Sequence, residues 1–189
     1  MLQPGQQLRT ALSPYLQDME RCRAAGAHWC LLHVVLCLPD ICAALESPSG
    51  EAEGRRYVDW CDKYLRCPAL AGIEVYGMRC KVLHQGRART DKRGRYEAFA
   101  FGAPTDGVVD HLRPEGRLIH VDVEELMTNV LSAIERWSAE LESDPLSVNA
   151  VNVGKNLASL VRITAHSVPR RIGQMTAGQS LGVFMNKTH

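Results

Sequence analysis

A mainly α-helical single domain is the fold the sequence predicts, on three observations. The chain has 189 residues, 46% of them apolar and 23% charged, enough to build one core of ordinary size. Apolar residues recur at three and four positions over most of the chain. Alternation of the strand type is confined to two short stretches between about residues 95 and 123.

The first helix is expected from Leu8 to about Cys22, where Leu8, Leu12, Tyr15, Leu16 and Met19 share a face, and Gly26 ends it. A second runs from about His28 through LLHVVLCL towards Leu45. Its nearly continuous apolarity predicts a central, buried position, with a kink or break at Pro39. The turn-rich SPSGEAEG (47–54) leads to a third helix over about Arg55 to Leu65. A fourth is expected from about Ile73 to Gln85, with Gly86 placed for a left-handed C-cap and His84 in the last turn.

RYEAFAF (95–101) and RLIHVDV (117–123) alternate as strands and predict a small antiparallel ribbon near 94–123. Asp122 and Glu125 suit the cap of a fifth helix, whose seam is Leu126, Val130, Ala133, Ile134, Trp137 and Leu141. After Pro145 the pattern fades, with a short helix suggested around Asn156 to Thr164. The domain reading is therefore a helical domain over 1–144 and a basic C-terminal extension over 145–189.

The net charge of +1 conceals an asymmetry. Residues 1–144 carry 17 Lys/Arg and all 21 acids, whereas 145–189 carry Lys155, Arg162, Arg170, Arg171 and Lys187 and no acid. A second basic cluster, Arg87, Arg89, Lys92, Arg93 and Arg95, follows His84 and could hold a nucleic-acid backbone, although a solvated loop has the same composition. Seven cysteines without a CxxC pair read as reduced thiols. The N-terminus lacks a basic start followed by an apolar segment, and no apolar run reaches membrane-spanning length; a soluble cytoplasmic protein is expected.

The chemistry concentrates in YGMRCKVLHQGR (76–87). Arg79 offers a planar cation suited to phosphate, and His84 a side chain that exchanges protons near neutral pH. Together they could cleave RNA without a metal, His84 moving the proton of a ribose 2′-hydroxyl and Arg79 holding the scissile phosphate. Residues five apart lie about 140° apart on an ideal helix. The pair must therefore meet through Arg79's long side chain, an unwound helix end or a second subunit. A surface ion pair for Arg79 and a helix-capping His84 account for the same spacing.

The Arg-x4-His element late in a helix, with LPDICAALESP (38–48) and RRYVDWCDKYL (55–65) upstream, resembles the HEPN superfamily over about residues 8–142. The resemblance implies a HEPN-like bundle of four to five helices carrying a small β-hairpin insertion. It further implies a metal-independent endoribonuclease of the toxin or defence type, with Arg79 and His84 as catalytic residues. An expected homodimer would act on RNA or a nucleotide, and a protein partner such as an antitoxin is consistent with the family. Other members are non-catalytic modules binding a nucleotide, nucleic acid or a protein, and that alternative stays open. Active members often carry a polar residue after the arginine, where this chain has Cys80.

Asp40 and Glu46 are candidates to orient the His84 ring, and Cys80 and Gln85 flank the pair as further supporting candidates. Tyr57, Trp60 and Tyr64 could stack bases, although such a stripe is more often core. Cys30, His33 and Cys37 share a helical face, but without a nearby fourth ligand they read as packing. No metal or cofactor is expected.

Overall fold

The computed structural model describes residues 4–89, 94–103 and 110–161. Six helices and a three-stranded sheet follow in the order α1 (Pro4–Ala24), α2 (His28–Glu46), α3 (Gly54–Tyr64), α4 (Gly72–Gln85), β1 (Ala98–Gly102), β2 (Arg113–Glu115), β3 (Leu118–Asp122), α5 (Val123–Ser143) and α6 (Val148–Asn156). A 3-10 turn, Leu157–Ser159, follows α6. The fold is mainly helical, as the periodicity predicts.

Helix α2 is the centre of the bundle. Leu31, Leu32, Val35, Leu36, Leu38, Cys42 and Leu45 are buried, and α1, α3, α4, α5 and α6 all pack against it. Pro39 does not interrupt it: the assigned helix is continuous from His28 to Glu46, with the proline itself buried. The missing backbone donor costs one helical hydrogen bond, which burial of the ring among the core side chains offsets. By length and composition α2 would also suffice to cross a membrane, with a mean hydropathy of 1.7. That corrects the sequence expectation that no apolar run reaches membrane-spanning length. Half of this window is buried inside the fold.

Two contacts fix α3 alongside α2 in the same direction. Tyr57 Oη donates to the Leu36 carbonyl at 3.1 Å, and Tyr64 Oη to Glu46 Oε1 at 3.4 Å. Helix α4 returns antiparallel to α3: the Tyr57 and Tyr76 rings meet at 5.5 Å, while the Gly72 amide donates to Asp62 Oδ1 at 2.6 Å. Hence α4 also runs antiparallel to α2. Gly86 closes α4 in the left-handed conformation at φ 58°, as its position predicts.

The sheet differs from the expected antiparallel ribbon. β1 pairs with β3 in parallel, Ala98 opposite Leu118 and Gly102 opposite Asp122, and the antiparallel partner of β3 is β2. The turn at Gly116 (φ 60°) makes β2 and β3 a tight hairpin, so one edge of β3 is taken and β1 occupies the other. β2 is only Arg-Pro-Glu, fully exposed, and carries no hydrophobic alternation by which a sequence reading could find it. Asp122 caps α5 by accepting from the Glu124 and Glu125 amides at 2.9 and 3.0 Å.

The packed body continues past residue 144. Helix α6 lies eight residues upstream of the expected start and docks on the C-terminal end of α2. Asn156 Nδ2 donates to the carbonyls of Leu45 and Ser47, and Asn152 Nδ2 to that of Glu46. Only Ala150 and Val153 form its apolar stripe, asparagines complete the docking face and Val148 and Val151 are exposed, which is why periodicity misses this helix. Residues 162–189, the greater part of the basic extension, lie outside the described residues.

Candidate functional site

Arg79 and His84 meet within one chain. Arg79 Nη1 lies 3.0 Å from His84 Nε2. A guanidinium only donates, so Nε2 accepts and presents its lone pair to the cation. Helix α4 is regular to Gln85, so the 140° offset is bridged by the length of the arginine side chain rather than by an unwound end. The His84 side of this contact is exposed to solvent.

Asp40 reaches the same arginine from α2 through an ion pair between Oδ2 and Arg79 Nη2. Their side chains are 19% and 24% exposed, which shields the pair from full solvent screening. Burial opposes the guanidinium charge, but Asp40 and, to a smaller extent, Cys80 together offset it and raise the pKa above the usual arginine value. Arg79 Nε is buried without a hydrogen-bond partner among the described residues, so the fork is aimed by its two terminal nitrogens.

Cys80 and Tyr76 complete the cluster. Cys80 is the main influence that pushes the Tyr76 phenol up, and it adds to Asp40 in favouring the Arg79 charge. Across the groove, burial and then the Asp40 charge push up the Cys37 thiol.

The remaining sequence candidates fall elsewhere. Glu46 lies at the far end of α2 and binds Trp137 Nε1 (2.6 Å), Asn149 Nδ2 (3.1 Å) and Tyr64 Oη, so it ties α2 to α3, α5 and α6 rather than orienting His84. Burial raises its pKa, partly opposed by the hydrogen bond from Trp137. Gln85 is exposed and accepts a long 3.5 Å contact from Lys81.

Within the basic cluster, Arg95 is committed to structure. Its Nε bonds Glu74 Oε1 at 3.1 Å, its backbone amide the same oxygen at 2.8 Å, and Nη2 the Pro68 carbonyl at 3.1 Å. Arg87 and Arg89 are exposed, whereas Lys92 and Arg93 lie outside the described residues. Tyr57, Trp60 and Tyr64 are 0%, 2% and 3% exposed and belong to the core, which excludes them as stacking platforms. His33 Nδ1 donates to the Trp29 carbonyl at 2.7 Å and Cys30 is exposed; among the described residues no group of three His, Cys, Asp or Glu is placed to hold a metal.

A groove of about 1030 Å³ between α1 and the 157–161 turn shares no residue with the Arg79 cluster. The Arg79–Asp40–His84 arrangement is nevertheless the better candidate for chemistry, because it sets a cation in direct contact with a proton-exchanging, solvent-exposed ring. No family model, curated protein or solved structure matches the chain.

Proposed function

We propose that this protein is a HEPN-like, metal-independent endoribonuclease of the toxin or defence type, active as a homodimer in the cytoplasm. The observation that carries the reading is the contact between Arg79 and His84 at the solvent-facing end of α4, with Asp40 fixing the arginine from behind. A phosphodiester entering between the two side chains would replace His84 as the partner of Arg79 Nη1.

In that complex His84 Nε2 takes the proton of the ribose 2′-hydroxyl. The 2′-oxygen then attacks the adjacent phosphorus, and the bond to the 5′-oxygen of the next nucleotide breaks. That oxygen takes a proton from solvent, giving a 2′,3′-cyclic phosphate and a 5′-hydroxyl. Arg79 neutralises the charge that grows on the phosphoryl oxygens, where a preorganised cation contributes most. Arg87 and Arg89 hold the neighbouring backbone, and an antitoxin-like protein would act by covering this face.

A DNA oligonucleotide containing one ribonucleotide tests the chemistry. Cleavage in EDTA only on the 3′ side of that ribose is expected. Tight binding without cleavage would favour the non-catalytic module, and cutting of all-DNA controls would exclude 2′-hydroxyl attack.

A further inference from the structure

Trp29 is 66% exposed, whereas Trp60 and Trp137 are 2% and 0% exposed. Nothing in the core calls for a large aromatic ring there. On α2, positions 29, 33 and 40 recur at four and seven residues and lie within about 40° of one another around the axis. Trp29 therefore shares the face from which Asp40 grips Arg79. The separation along the helix is eleven residues, or about 16 Å at 1.5 Å per residue.

Direction makes this placement informative. Because α4 runs antiparallel to α2, the step from Arg79 to His84 and on to Gly86 heads towards the N-terminal half of α2, where Trp29 stands. Arg87 and Arg89 follow the end of α4 and are exposed, with Arg89 opposite Ala98 of β1. The His33 ring buttresses Trp29 at 6.3 Å and 51°, held by its bond to the Trp29 carbonyl. The acids nearest this end, Glu20 and Glu124, are paired with Arg23 and His28. An exposed aromatic ring on the face of α2 that carries Asp40, with exposed arginines at the end of α4, suits unpaired nucleotides.

We infer that Trp29 stacks an unpaired base of single-stranded RNA whose backbone passes over His84 and Arg79. The inference rests on the ribonuclease reading and adds its substrate class: single-stranded rather than duplex RNA.

The test uses the full chain with His84→Ala, so that RNA stays intact, and an oligouridylate of a dozen nucleotides. Because Trp60 and Trp137 are buried, Trp29 dominates any ligand-induced change in tryptophan emission. Oligouridylate is expected to quench the emission and duplex RNA to leave it unchanged. Trp29→Ala is expected to weaken binding roughly tenfold, and Trp29→Phe, which keeps a ring, by less. Equal affinity in Trp29→Ala would overturn the inference and leave the ribonuclease reading standing. No binding of any RNA by the His84→Ala protein would remove both. A loss of self-association in Trp29→Ala, seen by sedimentation without RNA, would assign the ring to a contact between two copies of the chain instead.

Discussion

Asp40 and Arg79, 39 positions apart in sequence, form the ion pair that joins α2 to α4 beneath His84. Asp40 takes one terminal nitrogen of the guanidinium, and the other points at the imidazole. In the proposed enzyme this separates holding from acting: the carboxylate orients the half-buried Arg79, and His84 faces solvent. Asp40→Asn keeps the shape and removes the charge. Single-turnover cleavage is expected to fall roughly 10- to 100-fold, the scale of a misplaced reacting group. RNA affinity, read by fluorescence anisotropy, should hold or tighten because an acid has left the site. A parallel loss of affinity and cleavage would make Asp40 part of the binding surface instead.

Glu46 governs a pH dependence of stability. Burial raises its carboxyl above the ordinary value of 4.5, so the fold favours the protonated form. That contribution is complete below the unfolded value and is lost as pH climbs through the raised one. Glu46→Gln retains an acceptor for Trp137, Asn149 and Tyr64 and removes the titration. Urea melts from about pH 4 to pH 7 should show a flatter stability profile for the variant than for the wild type. An unchanged slope would contradict this account of Glu46.

Glu74 is the buried partner of the segment after α4. Its side chain is 1% exposed and accepts from the Ala71 amide, the Arg95 amide and the Arg95 guanidinium. Glu74→Ala strands two amides and should cost about 2–3 kcal/mol, lowering the melting temperature by roughly 5–10 °C. Glu74→Gln should recover part of the loss, since one oxygen remains to accept.

Gly72 opens α4 where the helix touches α3. A Cβ there would lie 2.3 Å from the Val58 carbonyl oxygen. Glycine to alanine in a helix ordinarily stabilises by about 1 kcal/mol; here the sign should reverse, with destabilisation of about 1–3 kcal/mol in chemical denaturation as α3 and α4 are forced apart. A stabilised Gly72→Ala would mean that the two backbones are not so close.

Helices with strong apolar periodicity were legible in the sequence: the α5 seam from Leu126 to Leu141 is buried as expected, and Gly86 ends α4. The segments that escaped rely on other physics. β2 is three exposed residues stabilised by its hairpin, and α6 docks through asparagines bonded to carbonyls at the end of α2. At the site, Arg79, His84 and Asp40 were legible as residue types, and the Arg79–His84 contact needed the reach of one side chain that spacing alone does not reveal. Glu46 was misplaced because six residues on α2, about 9 Å further from the His84 end, turn its carboxylate to Trp137, Asn149 and Tyr64. The register of Trp29 with Asp40 on α2 is present in the sequence, but the exposure of its ring is not.

The most direct measurement is cleavage of a mixed RNA pool in EDTA by the purified wild type beside His84→Ala. Cutting by the wild type that is abolished in His84→Ala, with products ending in 2′,3′-cyclic phosphate and 5′-hydroxyl, is the expected result. Equal cutting by both proteins, or none by either, would contradict a ribonuclease centred on Arg79 and His84.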